Sequence, residues 1–225
     1  AFQSFLTPAD KSPNLLDMGS KKVVTAVLAD KLGDIAKNVE ISKDGFDFMI
    51  PDNILFERGT ANPLPGYVGV MDKLVGITTG ISDATITITS YLFVQTVKEQ
   101  SPESAKNVAS QRLDMIQNKI KSSLEHNTVN VEGSAQVKDK HGEIDPNKLV
   151  GIIQVKITQH SKDADGKPTR KLEAFGNEKE SDMQLYEHYI NESQNRKKEE
   201  KKERSSERRF ENPVEESLRD QFQIK

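Results

Sequence analysis

Four histidines, His126, His141, His160 and His188, and a scatter of carboxylates, Asp52, Glu57, Asp139, Glu143 and Asp145, are the side chains of this 225-residue chain that could move a proton or hold a metal ion. Their spacing brings neither set together. No H-x-x-x-H pair occurs, and no G-x-S-x-G, P-loop or G-x-G-x-x-G motif is present. Cysteine is absent, which removes disulfides, thiolate nucleophiles and thiolate metal sites but leaves the compartment open. Each His therefore reads as a surface residue, and each loop carboxylate as a solvated or capping group. The expectation is a protein that is not an enzyme and uses neither cofactor nor metal. A formal net charge of −3 supplies no general basic field for nucleic acid.

The elements that would position such residues follow from periodicity. With 34% hydrophobic and 30% charged residues, the chain has material for one core and a polar remainder. Residues 1–19, with Pro8 and Pro13, read as a linker. From Ser20, a plausible N-cap, Val23, Val24, Val27, Leu28, Leu32 and Ile35 recur at helical spacing. Val39–Ser42 and Phe46–Ile50 alternate around Lys43-Asp44-Gly45, a hairpin in which Gly45 is expected to supply a positive φ. A loop from Asp52 to Leu64 then enters a helix opened near Pro65 and carried by Val68, Met71, Leu74 and Val75.

Thr85–Phe93 is β-branched and alternating, hence a strand. Pro102 behind Ser101 opens a long amphipathic helix over 102–124, with Val108, Leu113, Ile116, Ile120 and Leu124 on its apolar face. A short strand at Thr128–Glu132, a polar excursion over Val137–Lys148 and a final strand at Leu149–Thr158 complete an α+β fold, with helices on one face of a mixed sheet. From Ser161 to Lys225, 31 of 65 residues are charged, too dense for a core, so a disordered or isolated-helical tail is expected. The expected division is thus linker 1–19, domain 20–160 and tail 161–225. No apolar run approaches the roughly 20 residues that span a bilayer. The first residues look like a processed or truncated start and not a signal peptide.

The run VEISKDGFDFMIPDNILFERGTANPLPGYVGVMDKLVGI, with its Phe-x-x-Gly-x-Ala loop between a hairpin and a helix, resembles the opening of the OmpA-like peptidoglycan-binding domain, particularly that of MotB-type flagellar stator proteins. ITITSYLF, VASQRLDMIQNKI, VNVEG and LVGIIQVKI fall in the family's succession of strand, helix, strand and strand, so the resemblance covers residues 39 to 158. It implies an OmpA-like βαβαβ(β) sandwich and non-covalent recognition of the carboxylate and ammonium of a peptidoglycan peptide, by an Arg on the long helix and an Asp at the end of the central strand. Such a pair suits its ligand, since a guanidinium grips a carboxylate bidentately and a carboxylate accepts from an ammonium.

On this alignment Arg112 takes the Arg position and Phe93 stands where the family has Asp, with no acidic residue following until Glu99. The family's Leu-Ser before the Arg is Val108-Ala109 here, and the Asn-Arg-Arg before its last strand gives way to apolar residues near Ile152 and Ile153. From the residues alone, Arg112 could instead be a solvent-facing helix residue, although Glu103 and Ile116 are poor partners for it, and Tyr91 and Phe93 could be strand residues packed on a helix.

The resemblance implies a periplasmic wall-anchoring domain with weakened binding. A homodimer and a MotA-like membrane subunit would be its partners, the latter reached through an inner-membrane helix preceding Ala1. The alternative is an OmpA-like scaffold that no longer binds peptidoglycan and serves as a protein–protein interaction module.

Overall fold

The computed structural model of the protein describes residues 14–94, 102–139 and 150–173 and, in the tail, 184, 187, 191 and 195–206. Helix α1 spans Lys21–Leu32, followed by the hairpin β1 (Lys37–Ser42) and β2 (Gly45–Pro51). Then come α2 (Tyr67–Thr78), β3 (Ala84–Val94), α3 (Pro102–Ser123), β4 (Val129–Asp139) and β5 (Val150–Gln159). The five strands form one sheet in the order β1-β2-β5-β3-β4, with β3 and β4 parallel and every other pair antiparallel. This is the mixed α+β arrangement read from the sequence.

Strand alternation decides which face the helices cover. Phe46, Phe48 and Ile50 of β2, Ile86, Ile88 and Leu92 of β3, and Ile153, Val155 and Ile157 of β5 are buried. The intervening Met49, Tyr91 and Gln154 are half-buried and Lys156 is exposed, so this second face is open. α3 lays Ala105, Ala109, Ile116 and Ile120 onto the covered face, and Leu92, Val94, Ala105 and Ala109 form one apolar cluster beneath its first turns.

Four expectations are corrected. The strand expected at 128–132 continues to Asp139, because β3 pairs with it residue for residue from Ala84↔Val129 to Val94↔Asp139. Its inward positions continue through Gly133, Ala135 and Val137, of which Ala135 and Val137 pack against the apolar cluster under α3, but Gly133 and Ala135 are too small to read as strand residues. Ser20 does occupy the N-cap of α1, but its hydroxyl makes no capping hydrogen bond. Gly45 does not carry a positive φ. It is required for space, since a Cβ there would run into the Ile157 carbonyl across the β2–β5 pair. Gly45→Val is therefore expected to lower stability by about 1–3 kcal/mol, checked as a reduced midpoint in urea unfolding; an unchanged midpoint would refute this packing.

The last correction concerns boundaries. Leu15, Leu16 and Met18, inside the expected linker, are buried in a 3-10 turn that precedes α1. Beyond β5, Leu172 is buried as well, 3% exposed. Leu172 N donates to Lys43 O at 2.9 Å, Glu173 N to Gly19 O at 3.0 Å, and Lys21 N to Glu173 O at 3.0 Å. Lys171 adds an ion pair with Asp44 at 2.8 Å. The packed unit thus runs from at least Asn14 to Glu173, and chain contacts divide the molecule into Ala1–Glu178 and Lys179–Lys225. In the second unit, residues 195–206 form an exposed, highly charged helix. Ser101, expected to cap α3, and the excursion over 140–148 lie outside the described residues. No helix among the described residues is long and apolar enough to cross a membrane.

Candidate functional site

Arg112 lies on the apolar stripe of α3, one turn after Ala109 and one before Ile116, and is fully buried at 0% exposure. A guanidinium held there needs a counter-charge and acceptors for its N–H groups. Asp52, 60 positions earlier and 5% exposed, supplies the charge: Arg112 Nη1 donates to Asp52 Oδ2 at 2.8 Å. Arg112 Nε donates to the Thr60 carbonyl at 2.7 Å and Nη2 to the Glu57 carbonyl at 3.4 Å. The guanidinium also lies over the Phe56 ring, 4.9 Å from its centroid. One side chain of the long helix thereby fastens the loop that follows β2 at three of its backbone or side-chain acceptors.

That loop is organised from within too. Leu55 N and Phe56 N both donate to the Asp52 carbonyl at 2.9 Å, Glu57 N to Asn62 O and Leu64 N to Leu55 O, each also at 2.9 Å. Gly59 turns with φ 68°, a conformation a side-chain-bearing residue adopts only with strain. Phe56 packs against Tyr67 at 5.5 Å between ring centroids, and burial raises the Tyr67 phenol above its ordinary pKa. Behind the ion pair the β5 backbone must come close. A Cβ on Gly151 would meet Arg112 Nη1 at 2.7 Å, the Tyr91 carbonyl at 2.7 Å and Asp52 Oδ2 at 2.9 Å, so only glycine fits.

On the open face, where β2 ends, a cleft of about 520 Å³ is floored by Met49, Pro51 and Ile152 and walled by Phe56, Leu64 and the loop carrying Arg58. Pro51 and Ile152 are direct cross-strand partners, so the floor is part of the sheet. Lys37 and Arg58 stand at the rim.

The structure separates the two residues that the resemblance singled out. Arg112 is beneath α3 on the covered side of the sheet. Phe93 alternates with the buried Leu92 and Val94 and so projects from the open face, where its ring stacks with Tyr91 at 6.4 Å. Lys138 Nζ sits over the Tyr91 ring at 4.5 Å. Tyr91 and Phe93 therefore stand on the face of the sheet away from α3, whereas their sequence context suggested strand residues packed on a helix, and Arg112 is neither solvent-facing nor paired along its own helix. In this conformation it exposes no surface to a ligand.

Asp52, by its sequence context a solvated or capping loop carboxylate, is instead half of the buried ion pair. The available signal was Arg112 itself, an Arg in register with Ala109 and Ile116, which demands a buried partner somewhere in the fold. Of the histidines, His126 is exposed and His160 Nε2 lies 3.0 Å from Thr85 Oγ1. His141 and His188 are outside the described residues. No group of three or more His, Cys, Asp or Glu that could hold a metal ion occurs among the described residues.

No protein-family model and no curated protein sequence matches this chain. Among solved structures it is similar to a MotB-like protein from Desulfovibrio vulgaris, at 13% identity and a TM-score of 0.41, over 59% of this chain and 88% of that one. It is also similar to the cell wall anchor of the T6SS from Pseudomonas aeruginosa, at 14% identity and a TM-score of 0.39, over 64% and 97% of the two chains. The periplasmic domain of Helicobacter pylori MotB is a further neighbour, at 14% identity and a TM-score of 0.37, over 56% and 81%.

Proposed function

We propose that the unit containing residues 14–173 is a periplasmic, non-enzymatic domain of the OmpA-like kind that anchors its protein to the cell wall by holding peptidoglycan non-covalently. We assign it to a MotB-like stator, with a second copy of the chain and a MotA-like membrane subunit as partners and an inner-membrane anchor upstream. One observation supports this reading above the others. Arg112, which the resemblance assigns to ligand recognition, is fixed by three hydrogen bonds to the Phe-x-x-Gly-x-Ala loop region that the same resemblance brings with it. Arg112 then works as a positioning residue, holding the shape of the loop against α3, and the ligand meets the loop.

The same geometry favours a second reading. With Nε, Nη1 and Nη2 of Arg112 all donating inside the protein, the domain keeps the scaffold while its recognition arginine is committed to structure, as in an OmpA-like protein–protein module. Co-sedimentation with purified peptidoglycan separates the two. The wall-binding reading expects weak, saturable sedimentation that falls about tenfold in Arg112→Lys, which keeps the charge and loses the planar fork. Phe93→Asp, on the opposite face of the sheet, is expected to leave sedimentation unchanged. A folded wild type that stays in the supernatant at all peptidoglycan concentrations would select the protein–protein module, and sedimentation equilibrium of the same sample tests the homodimer.

A further inference from the structure

The cleft on the open face has features that the wall-binding reading does not use. Its floor is apolar and comes from rigid strands: Met49 and Pro51 on β2 and Ile152 on β5. Its wall is the loop that Arg112 pins from behind, so the cavity is formed before any ligand arrives. A concavity of about 520 Å³ lies within the range that takes a small organic ligand.

The charges around it are unequal. Asp52 is already neutralised by Arg112, while the exposed Glu57 keeps its charge and accepts only from the neutral Asn62 amide at 3.4 Å, so with Lys37 and Arg58 the lining is left one positive charge in excess. Among the described residues, Lys37 and Arg58 at the rim pair with no carboxylate. An apolar trough with two uncommitted cations at its mouth selects a molecule that is itself divided, with a hydrocarbon body and one anionic group.

We infer that this cleft is a binding site for a single-chain amphipathic anion, whose hydrocarbon part lies on Met49, Pro51 and Ile152 and whose acidic group meets Lys37 and Arg58. The inference does not rest on wall binding, and the two can fail separately. The chemistry has two sources, a free aliphatic acid or an acyl chain with an anionic headgroup at a membrane surface.

Isothermal titration of the full chain with dodecanoate below its micellar concentration tests the first source. Flotation with vesicles of phosphatidylcholine containing lysophosphatidylglycerol, which has one acyl chain and an anionic headgroup, tests the second. The site is supported if either probe binds saturably, and if binding weakens about tenfold in Lys37→Glu/Arg58→Glu, both exposed positions whose replacement leaves the core intact. Dodecyltrimethylammonium should not bind, because its head carries the wrong sign. Binding of neither probe, binding unaltered by the double replacement, or equal binding of the cationic chain would each overturn the inference.

Discussion

Arg112→Ala is expected to lower the unfolding free energy by about 3–5 kcal/mol, the range found when one partner of a buried ion pair is removed and the other is left behind. The magnitude follows from what loses its partner. Asp52 would keep a carboxylate with 5% exposure and no counter-charge, and the carbonyls of Thr60 and Glu57 would lose their donors. The vacated volume beside Phe56 would add a packing loss. The double variant Asp52→Leu/Arg112→Met should recover a substantial part of the loss, because replacing both charges by apolar groups removes the desolvation problem. Urea unfolding of wild type, both single variants and the double gives the coupling between the two residues. A single-variant loss below about 1 kcal/mol would show that the pair is solvated and that the loop is held by other means.

The second large effect concerns the segment after β5. A chain ending at His160 should melt roughly 6–12 °C below one ending at Glu178. The shorter chain loses the burial of Leu172, worth about 1.5–3 kcal/mol. It also loses three backbone hydrogen bonds that tie residues 172 and 173 to Lys43, Gly19 and Lys21, each contributing about 0.5–1.5 kcal/mol. Chain entropy recovered on deletion offsets part of this, leaving about 3 kcal/mol, and a domain of this size shifts by about 2–4 °C per kcal/mol. Equal midpoints for the two truncated chains would place the boundary at residue 160, as charge density alone suggested.

Charge density alone does not mark that boundary. The count of charges after Ser161 is correct, but it averages Leu172, a single apolar residue brought to the core by backbone pairing with segments some 130–150 positions earlier. Helices α1, α2 and α3 and strands β2, β3 and β5 were legible because each buries one periodic face and each side chain reports its own burial. β4 is legible only in its first half, since Gly133 and Ala135 interrupt the run of large β-branched residues although the alternation itself continues to Val137.

The ion pair leaves no local signature. Arg112 was singled out by family resemblance and Asp52 only as a loop carboxylate, and no local rule connects positions 60 apart. Physical parity would have helped: 112 is in step with 105, 109, 116 and 120, all buried, so an inward guanidinium was implied before any partner was known. Parity also bears on Phe93, which falls out of step with the core residues Leu92 and Val94 and so cannot face the helix that carries Arg112.

Strand β5 is the last to be synthesised, yet it lies at the centre of the sheet, between β2 and β3. Until residues 150–159 are available, the β1–β2 hairpin and the β3–β4 parallel pair each present an open edge lined by buried-type residues such as Phe48, Ile50, Ile86 and Ile88. Neither half can complete its hydrogen bonding alone. Closure also requires contacts between positions more than 100 residues apart, as in Gly45↔Thr158. Folding is thus held back until β5 has emerged from the ribosome or from any translocation pore, and the chain meets that moment with two adhesive edges exposed. A partner that shields an edge strand during this interval would act on the yield of folded protein without altering its final stability.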